Sequence, residues 1–184
     1  LGMRLESCAG AKVERNTLEN VSATAIYVVS GSVGVTDNRI VSPAEHGIVA
    51  TSGALVTARG NSVLSPKKAG IYYVTRSSGV AENNEVVNAG EDGIFLYDET
   101  DCTLSGNRLI GSMRNGINIY KSRAKVIAAA ITNSANCAIS ASNQSKLEIR
   151  DCILHGAAMH GVCALGGLEV DMTGTTIGGF LKDG

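Results

Sequence analysis

The most regular feature of the sequence is an alternation of apolar and polar positions that recurs every 22 to 23 residues. Within each period, apolar residues occupy alternate positions in three short clusters, a pattern typical of strands with one buried face. A small residue precedes the first isoleucine or valine of the third cluster in seven successive periods: Ala25, Gly47, Gly70, Gly93, Gly116, Ala138 and Gly161. The pattern therefore predicts about three strands and no helix in each period.

A second column lies nine positions before the first one. It contains five asparagines and then two other residues: Asn16, Asn38, Asn61, Asn84, Asn107, Ala129 and Cys152. Asparagine tolerates left-handed backbone, and its amide can bond to the amides of stacked neighbours. We therefore expect a turn at this column with an asparagine ladder, and a sharp corner at each glycine of the first column.

Three strands in 22 to 23 residues predict an all-β fold, a right-handed parallel β-helix of about seven to eight coils. A leucine-rich repeat is the alternative, because residues 56–63 fit its core pattern. The segment that would form the outer part of such a repeat reads SPKKAGIYYVTRSSG, in which Gly and Pro replace helix formers. The hexapeptide rhythm of a left-handed β-helix is not seen. The pattern favours the right-handed β-helix.

The repeat predicts one domain over residues 1–184, divided into four segments by the regularity of the columns. These are an N-terminal coil or cap (1–15), regular coils (16–124), degenerate coils (125–179) and a tail (180–184). Because a stack of strands needs cover at both ends, and because the chain opens at Leu1, we expect a fragment of a longer chain with a flanking domain or cap.

The recurring pattern Asn-Arg-Ile-Val followed by Glu-His-Gly-Ile-Val (38–49), repeated in related form at 107–118, resembles the parallel β-helix repeats of the pectate-lyase-like superfamily. The resemblance covers roughly residues 5–179. It implies a polysaccharide lyase, hydrolase, epimerase or sugar-binding scaffold, and an extracytoplasmic location. The repeat itself is structural, so it does not identify a reaction.

The catalytic motifs of this superfamily are incomplete or absent, so enzymatic activity is left open. The acidic stretch Asp98, Glu99 and Asp101 has Lys121 and Arg123 one coil later, and Arg76 lies one coil earlier. If the chain is an enzyme, the resemblance implies an acid or a Ca²⁺ ligand among the three acids and a base at Lys121 or Arg123. The alternative is a solvated turn whose charges neutralise one another.

The cysteines give little support for a metal site. The chain has five of them, with no CxxC motif, which favours free thiols and a reducing compartment. This preference opposes the location that the resemblance implies, so the location is left open. Cys137 and His160 fall in one column, but two ligands are too few for a closed site, and no metal is predicted.

Charge and hydropathy exclude two classes of partner. A formal net charge of −1 provides no basic field for nucleic acid or an anionic membrane surface. No apolar run approaches the roughly 20 residues of a membrane-spanning helix.

The strand that follows each glycine corner has an aromatic outward side. If its isoleucines point inward, five of the seven aromatic residues point outward: Tyr27, Tyr72, Phe95, Tyr97 and Tyr120. Such a surface suits an extended polysaccharide, with Arg76, Asp98, Lys121 and Arg123 at its rim. It also suits a protein partner or self-association by a scaffold without catalytic activity, cover by a missing domain, or ordinary packing between strands.

Overall fold

The computed structural model describes residues 1–180 and consists of parallel strands wound into eight coils. We call the three sides of the solenoid the front, side and rear faces. Two long strands bend to serve both the front and the side face: β1 (Met3–Glu14) and β3 (Ile26–Thr36). The other strands of the front face are β5 (Ile48–Thr51), β8 (Ile71–Val74), β11 (Ile94–Tyr97), β14 (Ile117–Tyr120), β17 (Ile139–Ser142) and β20 (Val162–Leu165).

The remaining strands form the other two faces. Those of the side face are β6 (Leu55–Arg59), β9 (Ser78–Glu82), β12 (Asp101–Ser105), β15 (Arg123–Ile127), β18 (Lys146–Arg150) and β21 (Glu169–Thr173). Those of the rear face are β2 (Thr17–Glu19), β4 (Arg39–Val41), β7 (Ser62–Leu64), β10 (Glu85–Val87), β13 (Arg108–Ile110), β16 (Ala130–Thr132), β19 (Ile153–His155) and β22 (Thr176–Gly178).

Strand pairing follows the sequence repeat. Each strand pairs in parallel with the corresponding strand one coil away, so Ile94 lies between Ile71 and Ile117. Like positions therefore form columns along the solenoid, and a 14-stranded and an eight-stranded sheet enclose one core. This register confirms the predicted parallel β-solenoid of 22 to 23 residues per coil.

The core contains the inward isoleucines, valines and leucines of all three faces. Ile26, Ile71 and Ile117 are completely buried, as the alternation predicts. Tyr73 differs from these aliphatic residues because it is aromatic and carries a hydroxyl group, yet it is also completely buried. Its hydroxyl lies 3.0 Å from the carbonyl oxygen of Val56 and 3.1 Å from that of Val80, so the phenol is not left without a partner.

The asparagines form the expected ladder between the side and rear faces. Four asparagines donate from Nδ2 to Oδ1 of the asparagine in the next coil, at 2.9 to 3.0 Å: Asn16, Asn38, Asn61 and Asn84. The backbone explanation was wrong, however. The left-handed residue is the one before the asparagine, for example Asp37 (φ 53°) or Asn83 (φ 53°). The asparagines are therefore selected for amide stacking and not for their backbone conformation.

The corner glycines are also needed for a different reason from the one predicted. Of the residues described in the structure, those with positive φ do not include Gly47, Gly70, Gly93 or Gly116. A Cβ atom at Gly47 would lie 2.5 Å from the carbonyl oxygen of Gly70 and 2.5 Å from a methyl group of Val63. Close packing between coils thus excludes a larger side chain at this corner.

The degenerate segment continues both sheets to the end of the described chain. In the last coil, however, the inward residues Val170 and Met172 are 42% and 45% exposed because no further coil covers them within residues 1–180. Phe180, the first residue of the predicted tail, packs against the core. The rest of that tail, 181–184, lies outside the described residues, and the division of the chain into segments stays a prediction.

Candidate functional site

Four outward rings of the front face form a continuous cluster, which we call the aromatic ladder: Tyr72, Phe95, Tyr97 and Tyr120. Tyr72 and Phe95 stack with ring centroids 5.0 Å apart and an interplanar angle of 7°. Tyr97 and Tyr120 stack at 5.1 Å and 21°. Phe95 and Tyr97 join the two stacks at 5.7 Å. The ladder spans three coils.

Tyr27 is not part of this ladder. Its neighbour on the next strand is Val49, whose own next neighbour is Tyr72. Val49 points outward but is only 3% exposed, because it lies between two larger side chains. The guanidinium carbon of Arg4 lies 5.8 Å from the centre of the Tyr27 ring, a cation–π distance. The structure thus places four of the five predicted rings together and the fifth apart.

Stacking along the solenoid leaves few ring faces open to a ligand. His46 lies against one face of Tyr72, with ring centroids 5.0 Å apart, and Phe95 lies against the other. Burial raises the pKa of Tyr72 to about 12. Tyr72 therefore offers its edge to the solvent, whereas a sugar that stacks needs a ring face. Tyr97 is the more exposed ring, at 39%.

His46 at the start of the ladder is held neutral. Burial, reinforced by the positive charge of Lys68, lowers its pKa to about 4. Its Nδ1 atom accepts a hydrogen bond of 3.2 Å from the backbone N–H of Ala69, which requires an unprotonated nitrogen. The imidazole acts here as a hydrogen-bond acceptor and a flat packing surface.

Tyr120 ends the ladder at a step in the front face. The residue paired with it on the next strand is Ser142, and the neighbouring outward position is Ser140. A serine side chain is too small to cover the ring that faces it. Tyr120 is half-buried, with a ring on one side and a serine on the other, so one of its faces has no aromatic neighbour along the solenoid.

A charged cluster lies at the bend between the front and side faces. Asp98 and Glu99 occupy consecutive left-handed positions there. Lys121 of the next coil lies 3.4 Å from the Asp98 carboxylate and 3.2 Å from that of Glu99. Hydrogen bonds from its ammonium group to Glu99 and then Asp98 raise the pKa of Lys121, so its proton is held more firmly.

The other predicted rim residues lie around this cluster. Arg76 is exposed, and its backbone N–H donates to the carbonyl oxygen of Asp98 at 2.9 Å. Asp101 and Arg123 are register partners on β12 and β15, and both point outward. The fold thus brings all the predicted acids and bases to one corner of the solenoid.

Sequence reasoning missed a groove on the side face. It has a volume of about 1040 Å³ and continues into a smaller one of about 340 Å³ beneath the charged cluster. Asp101, Arg123 and Gln144 line both. The charged residues of the larger groove are Asp101, Arg123, Lys125, Lys146, Glu148, Glu169 and Asp171. These charged residues alternate with the inward apolar residues along the side-face strands, and this alternation is the sequence feature that indicates a charged outer surface here.

Ion pairs between coils organise part of this groove. Lys146 contacts Glu169 at 2.5 Å, and Lys125 contacts Glu148 at 3.5 Å. Both signs of charge therefore alternate across the groove. Such an arrangement suits a polar ligand with both hydrogen-bond donors and acceptors.

The structure provides no argument for a metal. Within residues 1–180, no group of three or more His, Cys, Asp or Glu side chains is arranged to hold one. Calcium binding by Asp98, Glu99 and Asp101 stays a prediction. In the same part of the chain, no helix is long and apolar enough to cross a membrane.

Comparison with known proteins agrees with this architecture. The family described as right handed beta helix region matches residues 1–130. Two structures of the periplasmic alginate epimerase AlgG, one of them a point mutant, superpose with TM-scores of 0.79 and 0.78 at 17% identity. Each superposition covers 94% of this chain and 47% of the epimerase chain.

Another mutant structure of the same epimerase superposes with a TM-score of 0.56 at 14% identity, covering 90% of this chain and 61% of that one. No curated protein matches the sequence. The present chain spans about half the length of the epimerase chains with the higher scores. The family match covers well over half of the sequence, and the chain belongs to the right-handed β-helix family.

Proposed function

We propose that this β-helix is a carbohydrate-directed module that binds an extended polysaccharide at the step beside Tyr120. The observation that carries the proposal is the register that places Ser142, and not a further ring, beside Tyr120. A sugar ring stacked there would lie close to the corner that holds Lys121, from which the polar groove of the side face continues. Apolar stacking and hydrogen bonding would thus be available to one chain of sugars.

The comparison with the alginate epimerase supports this class of ligand. That protein has the same fold, and its name states that it acts on alginate, a polysaccharide. An acidic polymer would meet Lys121, Arg123, Lys125 and Lys146 along the corner and the groove. Because Asp101, Glu148, Glu169 and Asp171 line the same groove, the expectation that acidic polysaccharides bind more tightly than neutral ones rests on the comparison with the alginate epimerase.

The charged cluster supports binding better than turnover. A general base must release its proton near neutral pH, but the pKa of Lys121 is raised by its two carboxylate partners. The acids beside Lys121 are held in ion pairs. If the module takes part in cleavage or epimerisation, we propose that its corner positions and neutralises the substrate.

The experiment is a binding titration with alginate, polygalacturonate and dextran, comparing the unmodified chain with Tyr120→Ala. Tyr27→Ala is the matched control, because Tyr27 is an outward tyrosine of the same face that lies apart from the ladder. We expect saturable binding of an acidic polymer, roughly fivefold to tenfold weaker in Tyr120→Ala and unchanged in Tyr27→Ala. Absence of binding, or equal loss in both variants, would contradict the proposal.

A protein partner is the second candidate, and one observation favours it. Tyr72 is covered by His46 on one face and by Phe95 on the other and presents its edge, which suits packing against a protein surface better than stacking on sugars. Sedimentation of the unmodified chain and of Tyr97→Ala distinguishes the candidates. Self-association that is lost in Tyr97→Ala, without polysaccharide binding, would favour a scaffold.

A further inference from the structure

The repeat brings one corner residue of each coil close to an outward residue of the next. The corner residue stands immediately before the glycine or alanine that precedes each front-face strand. The outward residue that it meets follows it by about 26 positions in the sequence. Two such pairs make close contact: the rings of His46 and Tyr72, with centroids 5.0 Å apart, and Asp92 Oδ2 with Asn118 Nδ2 at 3.1 Å. The same relation joins Cys137 to Cys163, which are also 26 residues apart.

The local backbone holds these two cysteines in adjacent coils. Cys163 is the register partner of Ser140, and the backbone N–H of Ala138 donates to the carbonyl oxygen of His160 at 3.0 Å. Cys137 is buried and Cys163 is half-buried. Burial, together with hydrogen bonding to the Cys163 thiol, raises the pKa of Cys137 to about 12. The repeat therefore places the two thiols at the same position between adjacent coils as the other two pairs.

We propose that Cys137 and Cys163 are a site of reversible disulfide formation that fastens the seventh coil, which contains β17, to the eighth, which contains β20. A disulfide requires two cysteines in neighbouring segments, and the repeat places these two in adjacent coils at positions whose side chains make contact in two other coils. The other three thiols lie elsewhere. Cys102 and Cys152 are buried in different coils, and Cys8 is on β1 at the opposite end of the solenoid.

The reaction requires an oxidant, for which oxidised glutathione serves. The thiolate of the more accessible Cys163 attacks one sulfur of the glutathione disulfide, which breaks that bond and releases one glutathione thiolate. Cys137 then loses its proton and attacks the sulfur of Cys163. This second step forms the protein disulfide and releases the other glutathione. Two protein thiols are oxidised, and one glutathione disulfide is reduced to two glutathione molecules.

The position of this crosslink gives it a structural effect. The asparagine ladder ends at Asn107, so the coils that follow lack its amide bonds. A covalent bond between the seventh and eighth coils would restrict the unfolded chain in this less strongly bonded half. We therefore expect the oxidised protein to unfold several degrees higher than the reduced protein.

The test treats the whole chain with oxidised glutathione and then measures its intact mass, its free thiols under denaturing conditions and its cysteine-linked peptides. We expect a mass decrease of about 2 Da, a fall from five free thiols to three, and a peptide joining Cys137 to Cys163. Reductant should reverse all three changes. Cys163→Ser should abolish them, whereas the matched control Cys8→Ser should keep the crosslink.

Other products would overturn the proposal. A stable glutathione adduct on Cys163 would mean that Cys137 does not reach it. Two other results would also contradict the proposed crosslink. These are a dimer linked through Cys163, and five thiols that stay free in the folded protein. Each result is independent of polysaccharide binding, so it leaves the function proposed above unaffected.

Discussion

Three serine hydroxyl groups within the described residues are buried in the solenoid without a hydrogen-bond partner: those of Ser77, Ser112 and Ser134. Ala89 and Ala157 occupy the position of Ser112 in other coils and are completely buried. An alanine therefore fits this column, and the serine hydroxyl contributes an unsatisfied polar group.

Replacing Ser112 by alanine should stabilise the protein. The substitution removes a buried oxygen that has no partner, so we expect the free energy of unfolding to rise by about 0.5–1.5 kcal/mol in a urea titration. Ser122→Ala is the matched control, because the Ser122 hydroxyl donates to the carbonyl oxygen of Tyr120 at 2.9 Å. The free energy of unfolding of Ser122→Ala should instead fall by about 0.5–1.5 kcal/mol. Destabilisation by Ser112→Ala would show that a partner for its hydroxyl exists in solution.

His46 should make stability depend on pH in a defined window. The pKa of His46 is lowered to about 4 in the folded protein, from an ordinary value of 6.5. Between these values the unfolded chain binds the proton more readily, so the free energy of unfolding falls as the pH decreases from 6.5 to 4. The loss attributable to His46 is at most about 3 kcal/mol.

His46→Gln checks this assignment, since an amide oxygen can also accept the hydrogen bond from Ala69. The variant should show a flatter dependence of unfolding free energy on pH between 6.5 and 4. An unchanged slope would assign the dependence to other groups. Glu45 also has a lowered pKa, mainly through its hydrogen bond with Lys68, but its contribution is present above 4.5 and is lost as the pH falls further.

At the scale of the elements, the asparagine ladder is the strongest polar feature of the solenoid. Asn61 is buried, and its amide donates to Asn84 Oδ1 at 2.9 Å and to the carbonyl oxygen of Val35 at 2.8 Å. Its own oxygen accepts from the amide and the backbone N–H of Asn38, both at 3.0 Å. Interior members of the ladder thus satisfy several buried groups at once.

Asn61→Ala should be clearly more harmful than Asn16→Ala. Removing Asn61 leaves buried groups of three neighbouring residues without partners, for an expected loss of about 1–3 kcal/mol. Asn16 is half-buried at the end of the ladder and is bonded on one side. Chemical denaturation of both variants measures the difference. Equal losses would mean that the amides do not act as a connected ladder.

The periodic part of this fold was predictable from the sequence because it depends on local chemistry. Alternation identified Ile71 and Ile117 as inward residues, and the period fixed their register. Packing between coils was not predictable to the same degree. The isolation of Tyr27 depends on the size of Val49, and the glycine corners depend on contacts with the next coil. The covered ring faces and the side-face groove depend on how side chains stack in three dimensions.

At the scale of the whole molecule, stability should differ between the two halves. Coils contact only their neighbours, so a solenoid can open locally from one end. The amide ladder extends no further than Asn107, and Val170 and Met172 are exposed in the last coil. The C-terminal coils therefore have fewer buried polar bonds and less buried apolar surface.

Hydrogen exchange should show this gradient directly. We expect backbone amides of β8 and β11 to exchange more slowly than those of β17 and β20, although all four belong to the same sheet. Mass spectrometry of peptides from each strand gives the measurement. Uniform protection along the solenoid would show instead that the chain unfolds as one cooperative unit.

The stacked rings at the end of the ladder also have an optical consequence. The chain contains no tryptophan and only five tyrosines, so tyrosine dominates its near-ultraviolet absorption and emission. Tyr97 and Tyr120 are stacked at 5.1 Å, close enough for their electronic transitions to couple. A ligand on the face of Tyr120 that has no aromatic neighbour would perturb this coupled pair. Near-ultraviolet circular dichroism would then report occupancy of the step without any label.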